Sequence, residues 1–231
     1  MITASADRLA TTIASPNYND RPCGMPIDML VLHYTGMETC EAALGRLCDA
    51  DALVSAHYLI DEDGTVHRLV DEDKRAWHAG VAWWRGAMDV NGRSIGIELV
   101  NPGHEFGYRD FPDAQMVALE NLSRAILTRH PIPPQNVVGH ADVAPRRKQD
   151  PGERFDWKRL ACFGVGLWVE GAESISASTD DVRVMLEAYG YDVTDLAAAV
   201  AAFQRHFRPS LINGQSDGET AGLLKALLAA T

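Results

Sequence analysis

Three residues in the first two thirds of the chain carry side chains that ligate transition metals. His33 ends a short apolar run, His140 ends a second one, and Asp150 follows ten residues after His140. Pro145 and Pro151 restrict the loop around this aspartate, so the loop could hold its carboxylate in a fixed position. A catalytic zinc site takes three protein ligands of these types and keeps one position open for water. Residue types and spacing alone therefore indicate a possible His/His/Asp metal site, although a single strand histidine is more often a core residue than a ligand.

Two further charged residues could take part in the same chemistry. Glu98 lies inside the otherwise apolar segment 94–100, where a charged group is costly unless it has a partner or a function. A salt-bridged structural glutamate is the alternative, and the sequence alone leaves it open. Lys148 precedes Asp150 by two residues, so one loop could hold both a cation and a carboxylate.

Apolar β-branched runs and helical periodicities alternate along the first 162 residues. The runs that predict strands cover 27–34, 56–60, 65–70, 94–100 and 136–139. Helical spacing predicts one helix over 38–48 and a long one that starts near Pro112 and stops before Pro131. This interleaving predicts an α/β fold, a mixed central β-sheet flanked by helices. The two histidines then lie where strands end.

A second unit is predicted at the carboxyl end of the chain. Residues 163–178 are aperiodic and contain Gly and Ser, which is typical of a linker. Beyond them, helical patterns cover 180–189, 194–207 and 217–229. The predicted organisation is thus a domain over 1–162, a linker over 163–178 and a small C-terminal three-helix domain over 179–231.

The composition excludes some classes of partner. The chain has 21 Lys and Arg against 32 Asp and Glu, a formal net charge of −11, and shows no basic cluster. Nucleic acid and anionic membranes require such a cluster, so neither is expected as a partner, and no protein partner is predicted. No run is apolar enough for a signal peptide or an integral membrane segment. The sequence as written therefore predicts a cytoplasmic protein, or a periplasmic one if a leader has been removed from it.

Five segments follow one another in a family-like order. They are VLHYTG (31–36), SAHYLIDEDG (55–64), RAWHAGVAWWRG (75–86), SIGIELVN (94–101) and VGHADVAPRRKQDPG (138–152). Over about residues 20–162 the chain resembles the zinc-dependent N-acetylmuramoyl-L-alanine amidases, whose family also includes the peptidoglycan recognition proteins and a phage lysozyme. The resemblance is greatest to the bacterial branch that contains the AmpD and AmiD amidases.

This resemblance implies a reaction and a set of residues. The reaction is hydrolysis, by zinc-activated water, of the amide between the lactyl group of (1,6-anhydro-)N-acetylmuramic acid and the L-alanine of the stem peptide. The resemblance makes His33, His140 and Asp150 the ligands of one Zn²⁺. It makes Glu98 the acid/base residue and Lys148 the group that stabilises the oxyanion. The residues that it places against the substrate, a peptidoglycan fragment (muropeptide), are Tyr34, Trp77, His78, Arg85 and Asn91.

Several interpretations stay open beside these. Trp77 and His78 could instead form an aromatic core plug with a structural histidine, and His57 is expected to be structural rather than a ligand. The segments LEAYGY (186–191), AVAAFQRHF (199–207) and DGETAGLL (217–224) resemble a peptidoglycan-binding-like three-helix domain. That module usually has an early D-G-x-x-G segment, which is absent here, so packing against the amidase domain is favoured over binding to the wall.

Two other functions compete with that of an amidase. Non-catalytic recognition modules generally lack one or more metal ligands, whereas all three are retained here. A general zinc peptidase is disfavoured because the chain contains no H-E-x-x-H helix. Within the amidases, a recycling enzyme acts in the cytoplasm on 1,6-anhydro-muropeptides, and a wall-remodelling enzyme acts on sacculi outside it. The absence of an apolar leader from the sequence favours recycling.

Overall fold

The computed structural model describes residues 10–231. The first nine residues of the predicted N-terminal domain lie outside the described residues. The strands are β1 (Thr11–Thr12), β2 (Tyr18–Asp20), β3 (Met29–Tyr34), β4 (Tyr58–Ile60), β5 (Val66–Arg68), β6 (Lys74–Ala76), β7 (Ser94–Leu99) and β8 (Val137–Gly139). The helices are α1 (Cys40–Leu47), α2 (Val90–Arg93), α3 (Gly103–Phe106), α4 (Asp113–Arg129), α5 (His140–Val143), α6 (Trp157–Cys162), α7 (Thr179–Tyr189), α8 (Leu196–Phe207) and α9 (Gly218–Ala229).

Six strands form a mixed sheet in the order β1-β5-β4-β7-β3-β8. β3 lies between β7 and β8 and is parallel to both, whereas β4 and β5 are antiparallel. Parallel strands end at the same edge of a sheet, so the carboxyl ends of β3, β7 and β8 meet there. The register pairs His33 with Glu98, and β8 ends at the residue before His140. The predicted α/β class, a mixed sheet flanked by helices, is confirmed.

The two faces of the sheet are covered by different helices. Leu30 and Leu32 of β3 pack with the apolar face of α4, which includes Leu119 and Ile126. Met29 and Val31 point to the other face, since side chains alternate along a strand. There they belong to a core cluster to which the C-terminal helices α7, α8 and α9 contribute Val182, Leu186, Tyr189, Ala199, Val200, Ala202, Phe203, Phe207, Ala221, Leu223, Leu224 and Leu227. β3 is therefore buried on both sides.

The three predicted C-terminal helices are present as α7, α8 and α9. Ser178 begins α7 with a capping box, because its hydroxyl accepts from the backbone N–H of Asp181 while that carboxylate accepts from the N–H of Ser178. Asp217 caps α9 as expected, accepting from the N–H of Thr220 at 2.9 Å. Gly190, with a φ of 140°, ends α7 in a conformation that favours glycine.

The segment predicted as a linker, 163–178, contains no helix or strand. It is nevertheless packed rather than extended into solvent. Trp168 contacts the apolar clusters on both sides of the sheet, and the N–H of Ile175 donates to the carbonyl of Gly218 at 3.0 Å. The division of the chain into separate domains stays a prediction. The C-terminal helices share one core cluster with Met29 and Val31 of β3. Within 10–231, no helix combines the length and the apolar character that crossing a membrane requires.

Replacing Phe203 by alanine is expected to lower the free energy of unfolding by about 3–5 kcal/mol, because a fully buried aromatic ring is removed. The loss should appear in one cooperative transition, since Phe203 shares its core cluster with Met29 and Val31. Guanidinium denaturation followed by circular dichroism and tryptophan fluorescence measures both quantities. Val184→Ala, at an exposed position of α7, is the control and should change stability by less than about 0.5 kcal/mol. Two separate transitions would contradict the shared core.

Candidate metal centre and catalytic cleft

Three buried side chains converge at the carboxyl edge of the sheet. His33 lies near the end of β3, His140 is the first residue of α5, and Asp150 lies in the loop that follows. The two Nδ1 atoms are 3.0 Å apart, and each lies 3.1 Å from Asp150 Oδ2. The three side chains form a group that could hold a metal ion.

The hydrogen bonds of His140 fix which ring nitrogen carries its proton. Its Nε2 lies 3.0 Å from the carbonyl oxygen of Ala79. A carbonyl only accepts, so Nε2 must be the donor and Nδ1 of the neutral ring must be unprotonated. Arg147 donates to the same carbonyl and to that of Val81, and it therefore holds the acceptor in place.

A chain of hydrogen bonds fixes the tautomer of His33 as well. The hydroxyl of Ser94 donates to the carbonyl of Val90 at 2.6 Å, so its oxygen is left to accept from His78 Nε2 at 3.2 Å. His78 Nδ1 is then the acceptor for His33 Nε2, which lies 3.0 Å away. This leaves Nδ1 of His33 unprotonated, like that of His140.

The donor group fits a divalent metal ion. Burial, with a smaller contribution from the neighbouring His140, lowers the pKa of His33 to about 4, so its ring is neutral. Burial alone would raise the pKa of Asp150, but the electrostatic influence of the neighbouring imidazoles holds it below its usual range. Two nitrogen lone pairs and a carboxylate oxygen about 3 Å apart repel one another unless a cation lies among them. Neutral imidazoles with a carboxylate are also a ligand set of catalytic metal sites.

Glu98 lies beside this group, with Lys148 as the nearby cation. It is 9% exposed, and its Oε2 has no hydrogen-bond partner among the residues that the structure describes. Burial and the neighbouring charge of Asp150 raise the pKa of Glu98 well above its ordinary value. A buried carboxyl with an unused oxygen and a raised pKa is typical of a group that exchanges protons with a ligand.

A cavity of about 370 Å³ opens over the donor group and Glu98. Lys148 and Arg147 line it from the loop that carries Asp150, and Arg46 lines it from α1. The cleft thus has three cationic groups on its walls although the chain as a whole carries a formal net charge of −11. Sequence reasoning missed Arg46 and Arg147, since neither position stands out until the fold brings α1 and Ala79 to the edge of the sheet.

The residues predicted to contact substrate fall into two groups. Tyr34 and His78 line the cavity, and His78 also contacts His33. Trp77, Arg85 and Asn91 do not line it. Contact of any of these five with substrate stays a prediction.

Each of the three residues outside the cavity lining has a partner in the protein. The indole N–H of Trp77 donates to Asn19 at 2.7 Å, and Arg85 donates to the carbonyl of Tyr189 at 2.6 Å. Asn91 Oδ1 accepts from the N–H groups of His78 and Ala79, at 3.1 and 2.8 Å. Asn91 thus holds the backbone that presents His78.

His57 is a buried structural residue rather than a metal ligand, as expected. It is fully buried, and its Nδ1 accepts from the N–H of Gly96 at 2.9 Å. It is not part of the His/His/Asp donor group.

A mixed sheet whose carboxyl edge carries a His/His/Asp donor group beside an unpaired buried carboxyl is the arrangement of a metal-dependent hydrolase. Residues 23–153 match the family described as N-acetylmuramoyl-L-alanine amidase. The amidase AmiD of Escherichia coli is 39% identical over 230 residues, which cover 87% of this chain and 82% of that protein. The chain therefore belongs to the N-acetylmuramoyl-L-alanine amidase family and is an enzyme of that class.

Solved structures of the family agree with the fold. The complex of Escherichia coli AmiD with anhydro-N-acetylmuramic acid-L-Ala-D-γ-Glu-L-Lys has a TM-score of 0.82 at 37% identity, over 92% of this chain and 93% of that one. AmpDh3 of Pseudomonas aeruginosa in complex with anhydromuramic pentapeptide has a TM-score of 0.74 at 35% identity, over 98% and 97%. The 1,6-anhydro-N-acetylmuramyl-L-alanine amidase AmpD of Escherichia coli is 36% identical over 168 residues, covering 65% of this chain and 90% of its own length.

The donor group generates a prediction about metal content. After loading with excess divalent metal and dialysis, the protein is expected to retain about one ion per chain. Alanine at His33, His140 or Asp150 should remove most of it, because two ligands rarely hold a metal that needs three. Inductively coupled plasma mass spectrometry measures the content, and His67→Ala, a half-buried histidine outside the donor group, is the control. Stoichiometric metal in all three ligand variants would contradict the assignment.

Proposed function

We propose that this amidase releases the stem peptide from 1,6-anhydro-muropeptides with one Zn²⁺ held by His33, His140 and Asp150, and that it acts in peptidoglycan recycling. The observation that carries the proposal is the convergence of the three donor atoms beside the unpaired oxygen of Glu98, at the floor of one cleft. The alignment of nearly the whole chain with two amidases solved with anhydromuramyl peptides supports the choice of substrate.

The metal would supply one part of the chemistry. Zinc in this donor set polarises a carbonyl and lowers the pKa of water towards neutrality. The chain supplies the rest through its own side chains. The hydrogen bonds of His33 and His140 keep both Nδ1 lone pairs available for the metal, and the ionised Asp150 adds the only negative charge of the donor set.

Glu98 is placed to move the proton. A general base works best when its pKa lies near the working pH, and burial raises the pKa of Glu98 towards that range. It can accept the proton of the attacking water and deliver it to the nitrogen of the leaving L-alanine. Since that nitrogen must be protonated before it leaves, one residue serves both half-steps.

Lys148 is placed to stabilise the carbonyl oxygen. Its ammonium lines the same cavity as Glu98 and Asp150, on the loop restricted by Pro145 and Pro151. When water adds to the amide carbon, negative charge develops on the oxygen, and one well-placed donor is worth about 3–4 kcal/mol there.

The cationic walls of the cleft suit an acidic stem peptide. In the substrate bound to AmiD the glutamate is γ-linked, which leaves its α-carboxylate free. Arg46, on α1, is exposed and lines the same cavity as Lys148, so it could pair with such a carboxylate. This explains how an acidic protein can bind an anionic fragment.

The test is a mass-spectrometric digest of 1,6-anhydro-N-acetylmuramyl-L-Ala-γ-D-Glu-diaminopimelate, with and without a chelator. We expect free tripeptide, loss of activity on chelation and recovery with Zn²⁺. Cleavage of intact sacculi but not of this compound would overturn the recycling function and leave a wall-remodelling amidase. Binding without cleavage of either would leave a muropeptide-binding module. Action in the cytoplasm stays a prediction from the sequence.

Glu98→Gln is expected to lower kcat/KM by about 10²–10⁴-fold because the amide cannot accept the proton, while the zinc content stays at the wild-type level. Lys148→Met should cost about 10²–10³-fold, mainly in kcat. Steady-state assays with metal analysis measure both effects. Glu105→Gln and Lys158→Met, at exposed positions, are the matched controls and should behave like the wild type. A Glu98→Gln protein that keeps wild-type activity would eliminate the proposed proton transfer.

A further inference from the structure

A buried carboxylate joins the C-terminal helices to the metal centre. Asp142 lies on α5, two residues after His140, and is 1% exposed. Its Oδ1 accepts from the hydroxyl of Tyr191 at 2.6 Å, and its Oδ2 accepts from Nδ1 of His206 at 2.8 Å. Oδ2 also accepts from the N–H of Gly139 at 2.7 Å. Two donors therefore come from the helical unit, and one comes from the turn that carries His140.

The two donors from the helical unit are held rigidly. Tyr191 follows α7 and is 1% exposed, with its ring against that of Trp84. His206 lies on α8, and its ring stacks on Trp157 with centroids 3.7 Å apart and an interplanar angle of 18°. Neither side chain can turn away from Asp142 without leaving a packed position.

The turn at Gly139–Ala141 carries His140 and also contacts the loop that carries Asp150. The N–H of Ala141 donates to the backbone carbonyl of Asp150 at 2.8 Å. A Cβ at Gly139 would lie 2.6 Å from Cδ of Pro151, so the turn and the loop of Asp150 are in direct contact. A shift of this turn would move His140 and Asp150 together.

We propose that Tyr191 and His206 are positioning residues that set the affinity of the catalytic metal through Asp142. This proposal rests on the proposed function, because it concerns the same zinc site. The three donor atoms repel one another when no cation is present, so their separation depends on the stiffness of the structure behind them. Removing a donor from Asp142 frees a buried carboxylate to reorient and releases the N–H of Gly139. Partners that orient metal ligands typically change metal affinity by about 10–100-fold.

The C-terminal helices thereby have a function that needs no binding to the wall. Their residues complete the support of a metal ligand that belongs to another part of the chain. Two independent sets of contacts join the C-terminal helices to the rest of the chain. One is the apolar core that they share with β3, and the other is the pair of hydrogen bonds from Tyr191 and His206 to Asp142.

The test measures the zinc dissociation constant of the full chain by competition with a chromophoric chelator. Tyr191→Phe and His206→Phe, which keep an aromatic ring at each position and remove the donor, should each raise the constant about 10-fold. Asp142→Asn should raise it at least as much. Excess zinc should restore most of the kcat of Tyr191→Phe, because the catalytic groups are unchanged and only occupancy is lost.

Two controls separate positioning from general stability. Tyr189→Phe makes the same chemical change two residues away, at a buried tyrosine whose hydroxyl makes no hydrogen bond with a described residue, and should leave zinc affinity unchanged. Leu227→Ala on α9 removes buried apolar contacts far from Asp142 in sequence and should lower the melting temperature of the metal-free protein without changing zinc affinity.

Three results would overturn this inference. The first is Tyr191→Phe and His206→Phe proteins that bind zinc within about twofold of the wild type. The second is an equal loss of affinity in Leu227→Ala, which would reduce the effect to stability. A wild-type chain that binds no zinc would remove the proposed function and this inference together, whereas the first two results remove the inference alone.

Discussion

The structure around the catalytic cleft depends on one unfavourable contact. Two unprotonated imidazole nitrogens and a carboxylate oxygen lie about 3 Å from one another in the protein interior. Such atoms stay together only if the surrounding chain holds them, because like-signed partial charges repel strongly where water is excluded. The sheet provides this support, since His33 lies on the interior strand β3 and His140 directly follows the edge strand β8.

Hydrogen bonding to the far side of each ring completes the support. Ala79 accepts from His140, and the chain through His78 and Ser94 accepts from His33. These contacts select the tautomer as well as the orientation, which a packed apolar neighbour could not do. The cost of burying so many polar groups is offset because nearly all of them are paired, whereas Glu98 Oε2, in the lining of the cleft, has no hydrogen-bond partner among the described residues.

The main elements could be predicted from the sequence because each has a local cause. The β-branched run of β3, the apolar stripe of α4 and the caps of α7 and α9 determine their structures with little help from the rest of the chain. The pairing of β2 with β6 was not predicted, since β2 is short, polar and exposed and is defined only by its distant partner. The short helices α2, α3, α5 and α6 were missed for a similar reason.

The functional site could be predicted from the sequence less completely than the fold. Family-like segments identified His33, His140 and Asp150 as a candidate group, and the structure brings them together. The same reasoning could not find Arg46 or Asp142, because their importance comes from neighbours more than forty residues away in sequence or from the packing of α1. Contact of Arg85 with substrate stays a prediction, and its guanidinium donates to the carbonyl of Tyr189 at the end of α7.

The packed connection at 163–178 has a mechanical consequence. Trp168 contacts apolar residues on both sides of the sheet, so a hinge motion of the segment would have to break these contacts. The catalytic cleft and the outer surface of the C-terminal helices consequently keep a constant angle and distance. Any polymer that adhered to those helices would be presented to the cleft along a single path, and the enzyme would have to move as a whole to reach the next bond.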